Sequence, residues 1–210
     1  RALQTNLMFV MDEATTRTVA ITSLNPEEGK STITANLAVM VAELGFRVLL
    51  VDADVHRPTQ HELFGLDTTV GLSSTVLSDA PLQAVAQNTA FAGLRVVTSG
   101  PPLSDRRQEV SLYQFLPRFA EMADILLVDT PPLRASADVR LLVASVGSVV
   151  IAVRAGSSSA SELGDALEGL QVLDTKVLGT VLTRSSNRVA PGGSVAYYGY
   201  RRDPVKHPLP

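Results

Sequence analysis

Short apolar runs recur along the chain, and longer segments of mixed character separate them. Each run is nearly continuous in Val, Ile and Leu instead of alternating with polar residues. This pattern is typical of strands that are covered on both faces. The runs therefore predict strands at residues 18–23, 47–52, 94–99, 124–129, 148–153 and 177–182.

Helices are predicted between these strands, at residues 30–44, 108–121, 136–145 and 158–173. Alternating strands and helices indicate right-handed crossovers and a mostly parallel central sheet with helices on both faces. The fold class that we predict is therefore α/β. The pattern ends after residue 184. Residues 185–210 are polar, rich in Gly and Pro and contain tyrosines, which predicts a flexible C-terminal tail.

Composition and charge narrow the possible functions. The chain has 210 residues, of which 45% are hydrophobic and 19% charged, as in an ordinary folded domain. A net charge of −3 argues against a nucleic-acid partner, and the absence of cysteine excludes disulfides and thiolate metal sites. No apolar run reaches the roughly 18–20 residues of a membrane-spanning helix. Because the chain begins at Arg1, we expect it to be part of a longer protein with room for a membrane segment upstream.

The segment NPEEGKST, residues 25–32, follows the first strand and leads into the helix that begins at Lys30. Glycine followed by lysine and hydroxyl residues is the end of a P-loop, in which backbone N–H groups and a helix N-terminus bind phosphates. The consensus has a further glycine five positions before Gly29, where this chain has Leu24. Alone, such a short string is weak evidence for a nucleotide site.

Carboxylates follow two further strands: Asp52 and Asp54 after the second, and Asp129 after a later one. Ligands bind at the carboxyl ends of parallel strands, so we expect these side chains to converge on Lys30 and Ser31. Lysine can neutralise phosphates, serine can ligate magnesium, and carboxylates can hold the metal's waters or accept a proton. A single Asp at a strand end is more often a helix cap or turn former. The combination, and no single residue, predicts a nucleotide site.

The chain resembles the cytoplasmic kinase domain of bacterial tyrosine kinases, the P-loop autokinases that accompany capsule and exopolysaccharide export. The resemblance covers nearly the whole chain and rests on SLNPEEGKST, VLLVDADVHRPTQHELFGL, GLSSTVL, VTSGPP, ILLVDTPP, VLGTVLTR and YYGY. The first two correspond to the family's Walker A and Walker A′ segments, and ILLVDTPP corresponds to Walker B. The chain departs from the family pattern at Glu27, where glycine is common, at His56, where arginine is usual, and at Thr183, where asparagine is frequent.

The resemblance implies a set of functional residues, with ATP and Mg²⁺ as cofactors. The nucleotide-binding residues would be Glu27, Glu28, Gly29, Lys30, Ser31, Thr32 and Arg184. Catalysis would use Lys30, Asp54 and Asp52, the last as the base that accepts the tyrosyl proton. Magnesium would be held by Ser31, Asp54 and Asp129. The phosphoacceptors would be Tyr197, Tyr198 and Tyr200.

The resemblance also implies a domain organisation and a cellular role. Residues 1–184 would form the kinase domain, with an oligomerisation-type helix at 1–17 in which Gln4 replaces a family arginine, and 185–210 would form the tail. The chain would be an ATP-dependent protein-tyrosine autokinase that phosphorylates tail tyrosines in trans and so regulates polysaccharide export and chain length. Its partners would be copies of itself, in a ring or dimer, and a transmembrane activator segment, fused upstream or separate, with no nucleic acid. It would work at the cytoplasmic face of the inner or plasma membrane.

Two other functions remain open. ATPases of the cell-division and partition type share this fold, but they carry a lysine early in the P-loop, which SLNPEE lacks, and they have no terminal tyrosine cluster. The other alternative is a regulatory domain that binds nucleotide but is catalytically impaired, which Glu27 and His56 keep open. The tyrosines of the tail also have a simpler explanation as part of a disordered end.

Overall fold

The computed structural model describes residues 18–184, which form one seven-stranded sheet with helices on both faces. The strands are β1 (Thr18–Ser23), β2 (Val48–Asp52), β3 (Ala86–Asn88), β4 (Leu94–Val97), β5 (Ile125–Asp129), β6 (Ser148–Arg154) and β7 (Lys176–Thr183). Their order is β3-β4-β2-β5-β1-β6-β7, and only the β3–β4 pair is antiparallel. The predicted α/β class and its mostly parallel sheet are confirmed.

The sequence pattern missed β3, a strand of three residues at the edge of the sheet. Its sequence is AQN, and its residues are partly or fully exposed. An edge strand of this kind buries little apolar surface, so it leaves no apolar run in the sequence.

The helices are α1 (Lys30–Ala42), α2 (Gln60–Phe64), α3 (Ser74–Leu77), α4 (Leu82–Val85), α5 (Arg106–Leu112), α6 (Leu116–Phe119), α7 (Asp138–Val146) and α8 (Ala160–Gln171), with a 3₁₀ turn at Ala120–Met122. The single helix predicted at 108–121 is wrong, because that stretch is divided between α5, α6 and the 3₁₀ turn. Pro117 lies in the first turn of α6. Proline has no N–H and its ring clashes with the preceding turn, so it begins a new helix there. The short helices α2, α3 and α4 were not predicted.

The central strands bury both of their faces, which explains their continuous apolar sequences. In β2, Leu49 and Val51 point to one hydrophobic cluster, while Val48 and Leu50 point to the other. Helix α1 covers the second face through Leu37, Ala38 and Val41. Helices α7 and α8 cover the first face, with contributions from Val139, Leu142, Val143, Ala166 and Leu170.

The topology brings three strand ends together at the middle of the sheet. Strand β5 lies between β1 and β2, and its Asp129 is in register with Asp52 of β2 and Ile21 of β1. The loop after β1 leads directly into α1, so Lys30 at the start of α1 lies beside Asp129. The sheet thus sets the positions of the groups that the sequence singles out.

The predicted N-terminal helix at 1–17 and the tail at 185–210, with Tyr197, Tyr198 and Tyr200, lie outside the described residues. Within residues 18–184, no helix combines the length and the apolar character that crossing a membrane requires.

Candidate active site

The loop between β1 and α1 ends at Gly29, which has a φ of 90° and precedes the first residue of α1. No side chain of residues 18–184 caps this end of the helix, so its first N–H groups are available to an anion. Leu24, at the position of the missing consensus glycine, is 1% exposed and belongs to the hydrophobic core. Glu27 has a φ of 61°, a left-handed conformation that favours glycine.

The side chain of Glu28 holds this loop in shape. Its Oε2 accepts hydrogen bonds from the N–H of Leu24 at 2.9 Å and from the N–H of Asn25 at 3.0 Å. Its Oε1 accepts hydrogen bonds from the hydroxyls of Ser157 and Ser158 in the loop after β6. Burial raises the pKa of Glu28, but these hydrogen bonds outweigh it and hold the pKa below the ordinary value. Both oxygens of the Glu28 carboxylate are therefore used in hydrogen bonds within the protein, and only the backbone of Glu28 can contact a phosphate.

Lys30 lies at the centre of the charged groups. Its Nζ is 2.8 Å from Oδ2 of Asp54 and 3.6 Å from Oδ1 of Asp129, and it donates to Oγ of Ser31 at 3.1 Å. The residue is 8% exposed. Burial lowers the pKa of Lys30, but the charges of Asp129 and Asp54 outweigh it and raise the pKa above its ordinary value. Lys30 is therefore a cation at neutral pH.

Asp52 is fully buried behind this cluster. It accepts hydrogen bonds from the N–H groups of Asp54 at 3.2 Å, Thr59 at 3.0 Å and Gln60 at 3.0 Å. Burial and the neighbouring charge of Asp129 raise the pKa of Asp52 to about 7. A carboxyl group with such a pKa can take up and release a proton at neutral pH.

Asp129 is also fully buried, and its two oxygens have different surroundings. Oδ2 accepts a hydrogen bond from Nε2 of Gln60 at 2.7 Å. Oδ1 has no hydrogen-bond partner among the described residues and faces Lys30. Burial raises the pKa of Asp129, although the charge of Lys30 opposes this effect.

A cavity of about 610 Å³ opens in front of these groups, within the size range of small-molecule sites. It is lined by Pro26, Glu27, Gly29, Lys30, Ser31, Thr32, Asp54, His56, Arg57, Thr59, Pro131, Pro132, Ala135 and Arg184. The structure thus brings most of the candidate residues to one cavity, while Glu28, Asp52 and Asp129 lie behind its wall.

The far end of β7 closes one side of this cavity. Oγ1 of Thr183 donates to the carbonyl of Glu28 at 2.8 Å, and Arg184 follows directly. A Cβ at Gly29 would lie 3.6 Å from Cγ2 of Thr183, so the loop and the strand end are in contact. On another side, the imidazole Nε2 of His56 lies 3.3 Å from Oε2 of Glu109.

The donor set fits magnesium bound together with a phosphate ligand. The hydroxyl of Ser31 and the carboxylates of Asp54 and Asp129 surround Lys30, and magnesium prefers such hard oxygen ligands. No group of three or more His, Cys, Asp or Glu side chains within residues 18–184 is arranged to hold a metal by itself. Magnesium usually uses one or two carboxylates together with substrate phosphates and water, and this site has those parts.

Sequence reasoning missed Gln60 at this site. Its side-chain amide is fully buried and contacts both Asp129 and the carbonyl of Ser31. Only its place within the Walker A′-like segment VLLVDADVHRPTQHELFGL pointed to it.

Comparisons with known proteins agree with this geometry. A family profile described as ParA, NUBPL iron-transfer P-loop NTPase, matches residues 14–188. The chain is 34% identical over 203 residues to the tyrosine-protein kinase YwqD of Bacillus subtilis, covering 95% of this chain and 84% of YwqD. This chain belongs to the bacterial tyrosine kinases of the ParA-type P-loop NTPases.

This member of the tyrosine-kinase family also matches longer relatives and solved structures. It is 31% identical to the tyrosine-protein kinase Etk of Escherichia coli, covering 94% of this chain but only 27% of Etk. The solved kinase domain of Etk superposes with a TM-score of 0.83 at 29% identity, covering 94% of this chain and 78% of that domain. The septum site-determining protein MinD of Pyrococcus horikoshii, solved with Mg-ADP, has a TM-score of 0.70 at 22% identity, covering 83% of this chain and 74% of that one, and shows the shared fold alone.

Proposed function

We propose that this chain is an ATP-dependent protein-tyrosine autokinase. The observation that carries the proposal is the position of Lys30. It lies at the start of α1, between the carboxylates of Asp54 and Asp129, in a cavity large enough for a nucleotide. The kinship with proteins named tyrosine-protein kinases supplies the type of acceptor.

The proposed roles follow the positions of the groups around this cavity. Lys30 and the backbone N–H groups of residues 27–32 hold the phosphates, and Arg184 contacts the nucleotide from the end of β7. Ser31, Asp54 and Asp129 hold magnesium or its water shell, and the metal supplies charge compensation on the phosphate oxygens when it is bound. Phosphoryl transfer needs positioning and electrostatic stabilisation more than covalent chemistry, and these residues offer both.

Asp52 is the proposed base that accepts the tyrosyl proton. Its pKa of about 7 supports this role, because proton transfer is most efficient when the pKa is close to the working pH. Its burial is a constraint on the role, since Asp52 lies behind the wall that Asp54 lines. Substitution of each aspartate separately tests which of the two has the greater effect on phosphoryl transfer.

The proposed acceptors are Tyr197, Tyr198 and Tyr200 of a neighbouring copy. The tail follows directly on β7, and we propose that it reaches the active site of a neighbouring copy. Each phosphate adds a charge of about −1.5 to −2, which disfavours binding of the modified tail beside Asp54 and Asp129. We therefore propose that assembly, in a ring or dimer, alternates with release after phosphorylation.

The proposed setting is the cytoplasmic face of the inner or plasma membrane, where the enzyme would regulate polysaccharide export and chain length. Etk is several times longer than this chain, and one solved relative is described as the chimerical protein CapA2B2, with 33% identity and a TM-score of 0.76 over 86% of this chain and 80% of that one. The greater length of Etk leaves room for a further segment, and we propose that such a segment, of membrane origin and either fused upstream or supplied separately, activates the kinase. Addition of such a segment should raise the activity of the chain.

The test of this function is to incubate the purified 210-residue chain with magnesium and ATP and to detect phosphotyrosine. We expect a signal that disappears when Tyr197, Tyr198 and Tyr200 are all replaced by Phe. The initial rate per molecule should rise with protein concentration if transfer occurs in trans. ATP hydrolysis without phosphotyrosine would instead favour the cell-division type of ATPase, and nucleotide binding without turnover would favour a regulatory domain.

A further inference from the structure

Gln60 connects three parts of the site that are distant in sequence. It is the first residue of α2 and is fully buried. Its Nε2 donates to Oδ2 of Asp129 at 2.7 Å, at the end of β5, and to the carbonyl of Ser31 at 3.1 Å, in the first turn of α1. Its backbone N–H donates to Oδ2 of Asp52 at 3.0 Å, at the end of β2.

The chemistry of these partners fixes the orientation of the Gln60 amide. Both neighbours of Nε2 are oxygens that accept hydrogen bonds, and the amide nitrogen has two hydrogens to donate. A flipped amide would place Oε1 against the same two acceptors, with no hydrogen between them. In the present orientation, Oε1 has no partner within residues 18–184, so the two donated bonds are what hold the side chain in place.

The contact of Gln60 also determines which oxygen of Asp129 faces Lys30. Gln60 donates to Oδ2, whereas Oδ1 is buried, accepts no hydrogen bond from residues 18–184 and lies 3.6 Å from the Nζ of Lys30. A carboxamide donates a hydrogen bond without adding a charge. It therefore orients Asp129 but leaves its negative charge for Lys30 and for a metal ion, whereas a cationic donor would compete with both.

We propose that Gln60 is a positioning residue for magnesium-nucleotide binding, which sets the rotamer of Asp129 and the place of Ser31. The inference rests on the proposed function, because Ser31 and Asp129 are two of the proposed magnesium-binding residues. Outer-shell partners of this kind typically change metal affinity by about 10–100-fold when they are replaced. The effect of losing Gln60 should therefore appear in the magnesium dependence of binding and not in the contacts to the nucleotide itself.

The test compares Gln60→Met with the wild-type chain by titration of a fluorescent ATP analogue at varied magnesium concentration. Methionine has a similar length but donates no hydrogen bond. We expect the magnesium concentration for half-maximal nucleotide binding to rise about tenfold or more. Nucleotide affinity measured with a chelator present should change by less than about twofold, because no phosphate contact is lost.

Gln87→Met is the matched control. The Gln87 side chain also donates and accepts hydrogen bonds, with the carbonyl and the N–H of Asp67 at 2.8 and 3.2 Å, but it lies on the edge strand β3. The Gln87→Met variant should have the same magnesium dependence of nucleotide binding as the wild type. If Gln60→Met does not fold, as judged by circular dichroism, Gln60→Asn replaces it in the same titration. Asparagine keeps the amide donor, but its shorter side chain cannot reach both Asp129 and the carbonyl of Ser31.

The outcomes distinguish a failure of the inference about Gln60 from a failure of the proposed function. If the wild type shows magnesium-dependent nucleotide binding and the Gln60 variant has the same magnesium dependence but a lower melting temperature, Gln60 is only a structural link and the inference is overturned. If the wild type itself shows no magnesium-dependent binding, the proposed function fails, and the role of Gln60 fails with it. A selective rise in the magnesium requirement of the Gln60 variant supports both.

Discussion

Two buried carboxylates beside the cavity, Glu28 and Asp129, are stabilised in opposite ways. Glu28 accepts hydrogen bonds from neutral donors at both oxygens, and these outweigh the effect of burial and lower its pKa. Burial raises the pKa of Asp129. Within residues 18–184, one oxygen of its carboxylate accepts a hydrogen bond from Gln60, and the charge of Lys30 stabilises its ionised form. Both oxygens of Glu28 therefore have hydrogen-bond partners within the protein, whereas Asp129 belongs to a charge cluster that a ligand and metal can join. The difference separates a residue that shapes the loop from one that is available to chemistry.

The largest effect should come from removing the cation of this cluster. We expect Lys30→Met to lower tyrosine phosphorylation by at least about 10²–10³-fold, because developing phosphate charge would be left without a preorganised partner. The measurement is phosphotyrosine formation under saturating magnesium and ATP. Lys176→Met, an exposed position at the start of β7, is the control and should keep wild-type activity. Undiminished phosphotyrosine in Lys30→Met would show that the site is elsewhere.

Substitution of either buried aspartate, Asp52 or Asp129, should lower activity, but for different reasons. We expect Asp52→Asn and Asp129→Asn each to lower the rate by about 10²-fold, less than Lys30→Met does, through loss of a proton acceptor or of a metal-shell carboxylate. Calorimetry should show nearly unchanged magnesium-nucleotide affinity for Asp52→Asn and weaker affinity for Asp129→Asn. The exposed Asp165 provides the control substitution, to Asn, on α8. Identical affinities for the two variants would mean that the division of roles is wrong.

The sequence predicted the strands and charged residues of this site better than the hydrogen bonds that hold them in place. Strands β1, β2 and β5 were predictable because both of their faces are buried, and parallel pairing explains why the aspartates at the ends of β2 and β5 meet. The role of the Glu28 side chain was not predictable, because its hydroxyl partners Ser157 and Ser158 are 129 and 130 positions away in the sequence.

Gln60 and the break at Pro117 were missed for different reasons. Gln60 acts through the direction of its hydrogen bonds, which no residue pattern records, and it begins a helix too short to show periodicity. Proline at 117 was visible in the sequence, but apolar residues on both sides of it suggested a single helix. For Gln60 the decisive information is hydrogen-bond geometry set by tertiary contacts, whereas for Pro117 it is the missing N–H and the ring of proline itself.

A smaller effect, on stability, should distinguish Glu28 from the charge cluster. Glu28→Ala leaves the N–H groups of the buried Leu24 and the half-buried Asn25 without acceptors, and we expect a loss of about 2 kcal/mol in unfolding free energy. Glu28→Gln keeps an acceptor for these groups and should lose less. Denaturant unfolding measures both variants. Equal stability of the Ala variant and the wild type would show that the loop holds its shape without this carboxylate.

The pH dependence of Glu28 has a definite sign. Its pKa in the folded protein is lower than the ordinary value of 4.5, so its stabilising contribution is present above that value and is lost as the pH falls through the folded pKa. Below about pH 4.5, the wild type should therefore lose stability more steeply than Glu28→Gln, which has no proton to bind at this position. Parallel acid limbs for the two proteins would contradict this assignment.

The smallest effect should come from Glu27, which is next to Glu28 but exposed at the cavity. Its φ of 61° costs a non-glycine residue about 1–2 kcal/mol. Glu27→Gly relieves this strain, but glycine also gains freedom in the unfolded chain, so the net gain in stability should stay below about 1 kcal/mol. Its carboxylate lines the cavity that we propose for phosphates, so either Glu27→Gly or Glu27→Gln should bind nucleotide about two- to fivefold more tightly at low salt. Only Glu27→Gly should also be more stable, because Gln keeps the strained backbone. Weaker nucleotide binding by both variants would mean that Glu27 contacts the ligand favourably and that its departure from the family pattern serves binding.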